Sequence, residues 1–323
     1  MPRIRNIAAL ASIALLWAGT ALAQSYPSKP IRFIVPFPPG GSSDLVVRML
    51  APRMAEKLGQ QVLVENRPGA SGNIGVDIVA KAAPDGHTIG LGAAGALSSN
   101  SSLFPNMPFD PIKDLAPISM LAMIPIVIAA HSSLPVANAK ELIAYAKANP
   151  GKLSFGTTGS GSTMHLAGEM LKQMTRTFMV HIPYKGSAPA AADLAGGQLE
   201  LAIVDLTSAL PHIRSGKVKA IAIASPQRSI TAPEIPTVAE SGLPTYAAEG
   251  WFGVVAPVGT PASIITRLNA EIVEGMKAKD IRDRLLTGGA EPQTGTPEAF
   301  GGFIKSETAK WARVIKEAGV KLD

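Results

Sequence analysis

The 323-residue chain contains no cysteine. It therefore has no disulfide, no thiolate metal ligand and no cysteine for lipid attachment, and its fold rests on packing alone. Aromatic residues are scarce, at 5% of the chain, and no run of lysine or arginine occurs. That combination argues against nucleic-acid binding, which needs a basic stripe and stacking side chains. Net charge is +6, and loss of Arg3 and Arg5 with the first 23 residues leaves +4. A mild positive balance suits an anionic small molecule. Catalytic signatures are missing too. There is no H-E-x-x-H, no G-x-S-x-G elbow and no G-K-[ST]; His87, His131, His165, His181 and His212 sit at no metal-ligand spacing. His165 and Glu169 lie one turn apart, an arrangement that is usually structural. Gly90-Leu91-Gly92-Ala93-Ala94-Gly95 matches G-x-G-x-x-G, with Asp110 twenty residues past Gly90. The dinucleotide motif needs a helix directly after the glycines, and LSSNSSLFPNMPFDP is no helix start. No cofactor and no metal are expected.

Only the N-terminus carries a long apolar run. MPRIRN is followed by IAALASIALLWAG and then Ala21-Leu22-Ala23. Basic start, short apolar core and small-x-small site together read as a secretory signal peptide over 1–23, cut before Gln24. The apolar core is too short for a membrane span of about 20 residues. No later segment is long enough and free enough of breakers to cross a membrane. The remaining chain, about 300 residues, has the length of two domains.

Short apolar runs alternate with helical patterns. IRFIV, QVLVEN, TIGLG, IPIVIAAH, LSFG, FMVHIPY, LELAIVD, VKAIAIAS and WFGVVAP read as strands. Helices are expected near 43–58, 73–82, 137–148, 163–175, 188–195, 261–278 and 297–318. Alternation at this spacing implies βαβ units and largely parallel sheets. Pro52 predicts a kink or a shortening of the first helix. Phe303, Ile304, Trp311 and Ile315 share one face of the last helix and read as core on one lobe.

Two loops repeat one pattern. FIVPFPPGGSSD at 33–44 runs from strand through prolines and glycines to a helix start, and LSFGTTGSGST at 153–163 does the same about 120 residues later. Each would expose free backbone N–H groups at the positive end of a helix dipole, from the carboxyl edge of a sheet. An ordinary strand-to-helix turn explains either loop alone. The pair points to two α/β lobes facing across a cleft, with an anion held by neutral donors and not by a fork of charge.

The chain resembles the solute receptors of tripartite tricarboxylate transporters, the Bug-type periplasmic proteins. The resemblance rests on YPSKPIRFIVPFPPGGSSD, LGQQVLVENRPGASGNIG, AAPDGHTIGLG, FDPIKDLAPIS, LSFGTTGSGSTMHLAGE, HIPYKGSAPAAADLAGGQLEL, DLTSALPHIRSGKVKAIAIAS and WFGVVAPVGTPA, in that order. It implies a two-lobed, type II-like periplasmic-binding-protein fold. It also implies a monomer that binds a small carboxylate, or an amino acid, between its lobes and delivers it to membrane permease subunits. By the resemblance, Phe37, Pro39, Gly40, Gly41, Ser42 and Asp44 hold a carboxylate, partly through ordered water. Thr157, Ser160, Gly161, Ser162 and Thr163 give direct hydrogen bonds. Ala94 and Ser98 form another wall, and Tyr184, Lys185 and Gly186 line the second lobe. Ala93 and Ala94 stand where similar proteins often carry hydroxyls, which suggests a more apolar corner. Asp205 either reads an ammonium or hydroxyl group or simply caps a helix. Trp251 is either a cleft platform or core near the hinge, with core the favoured reading. Lobe one is expected over 24–126 and 251–323 and lobe two over 127–250, with hinge closure on binding that small-angle scattering would detect. Two other classes stay open: a ligand sensor for a membrane signalling protein, and an exported enzyme acting on a carboxylate.

Overall fold

Ile31–Val35 (β1) is short, apolar and buried at four of five positions, as a central strand should be. In the computed structural model, which describes residues 26–320, it pairs in parallel with Val62–Asn66 (β2) and Thr88–Ala93 (β3). Leu115–Ile124 (β4), Gly250–Pro257 (β10) and Glu291–Pro292 (β11) complete a six-stranded sheet of order β11-β4-β10-β3-β1-β2. The second sheet has five strands: Ile126–His131 (β5), Ser154–Thr157 (β6), Val180–Pro183 (β7), Leu201–Asp205 (β8) and Val218–Ile223 (β9), in the order β7-β6-β8-β5-β9. The expected two-lobed α/β architecture is present. The signal-peptide segment lies outside the described residues. No helix among the described residues is long and apolar enough to cross a membrane.

The sheets are mixed where largely parallel ones were expected. β10 is antiparallel to β3 and β4, and β5 is antiparallel to β8 and β9. The cause is the crossing. β4 arrives at the cleft edge, Pro125 alone separates it from β5, and β5 must run away from that edge while its neighbour β8 ends there. β10 likewise starts at the cleft and runs outward. A chain that crosses and returns therefore inserts strands of opposite sense.

Two other expectations change. The helix Ser42–Leu58 is not shortened at Pro52, because Val46, Val47, Leu50, Ala51, Met54 and Leu58 bury a full face that outweighs one lost hydrogen bond. The last helix, Pro297–Ala318, does not stay with one lobe. Phe300 and Ile304 pack with Trp251 and Val255 on the first sheet, while Trp311 and Ile315 join the core of the second with Leu166 and Tyr246.

Candidate ligand-binding site

The loop after β1 is shaped from behind. Asp44 Oδ2 accepts the Gly40 N–H at 3.0 Å, and Oδ1 accepts Asn66 Nδ2 at 2.9 Å. Asn66 Nδ2 also reaches the Phe37 carbonyl at 3.0 Å, and Arg48 Nε lies 2.9 Å from Asp44. Burial alone would raise the Asp44 pKa, but hydrogen bonds from Arg48, Gly40 and Asn66 outweigh it and hold the carboxyl below its usual range. Gly40 has φ +86°, a conformation that L side chains rarely adopt. The first helix then starts at Ser42 with Gly41 as its N-cap and no side-chain cap hydrogen bond. Its first N–H groups are thus left open.

The loop after β6 is held by histidines. His165 Nδ1 accepts the Gly161 N–H at 3.2 Å, and Thr157 Oγ1 pairs with His181 Nε2 at 2.7 Å. The two imidazoles stack with centroids 4.0 Å apart. Burial lowers both pKa values, that of His181 to about 3, so the rings are neutral and His165 keeps the lone pair that Gly161 needs. Gly161 has φ +81°, and a Cβ there would come within 2.7 Å of Phe104. Ser162 caps the helix Thr163–Thr175, accepting from the His165 N–H.

These loops meet at one cavity of about 90 Å³. Of the predicted residues, Phe37, Pro39, Gly41, Ser42, Ala94, Ser162, Thr163, Gly186 and Asp205 line it. Gly40 and Asp44 stand behind the first loop. Ser98 is buried and donates to the Ala94 carbonyl within a π-helical segment, Gly95–Ser99. Thr157 and Gly161 are engaged with the histidines. Ser160, Tyr184 and Lys185 border a neighbouring cavity of about 220 Å³, which shares Phe37, Ser71 and Thr158 with the first. Tyr184 donates to Asp193 Oδ2 at 2.7 Å; burial, then that carboxylate, push its pKa up to about 12. Asp205 caps the helix Leu206–Arg214, its Oδ1 accepting from Ser208 N at 2.8 Å, and also faces the cavity wall. Trp251 is both core, edge-on to Phe300 and Phe303, and cavity lining.

Sequence reasoning missed Ser43, Ser71, Thr158, Met164 and Ser187 on the lining. A signal for Ser187 existed: KGSAPA repeats the glycine-then-hydroxyl helix start of GGSS. The helix Ser187–Ala195 has Gly186 as N-cap and again no side-chain cap hydrogen bond. Three helix N-termini, at Ser42, Thr163 and Ser187, therefore open on one cavity. Thr163 Oγ1 is buried there without a partner. An arrangement of free N–H groups, positive helix ends and an unsatisfied hydroxyl can hold an anion without a counter-charge.

Residues 46–320 match the model of the tripartite tricarboxylate transporter family receptor. The chain belongs to that family. The receptor is 42% identical to Protein BugT of Bordetella pertussis over 98% of both chains. Among solved structures it is similar to the periplasmic binding protein BugD, with TM-score 0.86 and 39% identity over 92% of this chain and 99% of that one. It is similar as well to an R. palustris protein solved with adipate, with TM-score 0.88 and 36% identity over 92% and 99%. The family consists of periplasmic solute-binding receptors, and a carboxylate is bound in a homologue's structure.

Proposed function

We propose that the chain is an exported periplasmic receptor, acting as a monomer, that closes on a small organic carboxylate and delivers it to the permease of a tripartite tricarboxylate transporter. One observation carries this reading: three helix N-termini open on a single cavity, two of them capped only by glycine. The lobe-one loop at Phe37, Pro39, Gly41 and Ser42 and the lobe-two residues Ser162, Thr163 and Ser187 hold the carboxylate between them. Gly40, Asp44, Gly161 and Thr157 act from behind, by fixing loop shape. The adipate held by a relative supports the ligand class. Closure already has a contact to use: Ser71 Oγ donates to the Ser160 carbonyl across the cleft.

Native mass spectrometry of mature protein purified without refolding tests this. A monomer retaining a small acid is the expected result. A retained neutral or cationic molecule would contradict it. So would a panel of mono-, di- and tricarboxylates that leaves the melting temperature unchanged.

A further inference from the structure

The cavity wall is uneven in chemistry. Donors cluster at the helix starts, Ser42, Ser43, Ser162, Thr163 and Ser187. The rest of the lining is mainly apolar, with Ala93, Ala94, Ile124, Met164, Pro189 and Phe252. The hydroxyls of Ser71 and Thr158 already donate to the Ser160 carbonyl and the Met164 sulfur, and the Trp251 indole N–H, buried without a partner, is the one free side-chain donor there among the described residues. No lysine or arginine lines the cavity among the described residues, and the one charged side chain is Asp205, itself acidic and 3% exposed. Lys185 lies on the neighbouring cavity and is exposed, so its ammonium is hydrated and screened.

One carboxylate fits the helix ends, and Thr163, buried with an unpartnered hydroxyl, gives it a direct donor. A second carboxylate on the same solute would meet alkyl and aromatic carbon, two hydroxyls already engaged at Ser71 and Thr158 and the single neutral N–H of Trp251, near Asp205. It would lose its hydration without gaining a cation, and like charge would repel it. Accepting the carboxylate-receptor reading above, we infer that this receptor selects solutes with a single carboxylate on an uncharged, largely apolar body, and rejects dicarboxylates. At the 10–15 Å³ that one water-sized group needs, a cavity of about 90 Å³ has room for roughly six to nine such groups. That is the size of a six-carbon fatty acid or an aromatic acid with one ring.

Hexanoate and adipate share a six-carbon chain and differ in one carboxylate, so they isolate the claim. Titration calorimetry on ligand-stripped protein would compare them, with benzoate, malate and citrate alongside. Hexanoate or benzoate should bind at least about tenfold more tightly than adipate, malate or citrate, that is by about 1.4 kcal/mol. Ala93→Lys, which puts a cation on a half-buried part of the lining, should narrow the hexanoate-to-adipate ratio. Adipate binding as tightly as hexanoate in the unmodified protein would overturn the selectivity and leave the receptor reading intact. Failure of all five acids to bind would overturn both.

Discussion

Thr163 Oγ1 is a buried hydroxyl with nothing to bond to. Such a group costs free energy until something meets it. Thr163→Val keeps the shape and removes the cost. The variant should melt no lower than the unmodified protein, while its affinity for a bound carboxylate falls by roughly 10- to 100-fold, as for one hydrogen bond to a charged group. Calorimetry beside thermal melting separates the two effects. Equal loss of both would mean that the hydroxyl is structural. The histidine pair makes a second prediction. An imidazole in the unfolded chain titrates near pH 6.5, whereas folding holds His181 down at about 3 and His165 below its usual value. Between those pH values the unfolded chain binds more protons, so the stability contributed is complete above about 6.5 and drains away as pH falls. Glu169 and Lys172 also act on His165, with opposite signs. Melting temperature should drop on acidification from pH 7 to pH 4, and His181→Gln should drop less steeply. Parallel curves would remove the imidazole from the explanation.

Elements were legible where local chemistry was complete. The helix Thr163–Thr175 has the boundaries expected from sequence, because glycines and a hydroxyl cap precede a clean apolar period. β4 was missed: LAPISMLAMI contains Pro117 and is rich in alanine and methionine, so nothing local marks it as a strand. It forms because β10 and β11 flank it. The helix Leu206–Arg214 was missed because Pro211 interrupts it, and Lys279–Thr287 because only Ile281 and Leu285 of its nine residues are buried. The last helix shows the limit most clearly. Its apolar face was readable, but that the face serves two cores follows only from where the sheets sit. Trp311 is fully buried in the second-sheet core, its indole N–H donating to Glu307 at 3.1 Å. Trp311→Ala should destabilise the protein by about 3–5 kcal/mol, the usual cost of emptying so large a site. Urea unfolding measures it, and a loss below about 1 kcal/mol would show that the helix end is not anchored there.

At the scale of the molecule, the two sheets bring together loops that lie about 120 residues apart in sequence. The carboxyl-edge loops of both lobes were visible as motifs. That Asp44, Thr157 and Gly161 stand behind the cavity, and that Ser71 and Ser187 stand on it, depended on side-chain direction, which sequence does not encode locally. The central claim is that open helix N-termini, and not a basic side chain, hold the solute. Gly41 tests it directly. Its backbone is extended, at φ −81° and ψ 173°, and an added Cβ would meet only the Pro38 carbonyl oxygen, 3.9 Å away. Gly41→Asp therefore fits. Its carboxylate would cap the helix from within and put negative charge where the solute's belongs. Calorimetry with the carboxylate that the unmodified protein binds most tightly should show a loss of at least about 100-fold, at an unchanged or higher melting temperature. Affinity within about threefold of the unmodified protein would contradict the claim and place the anion elsewhere.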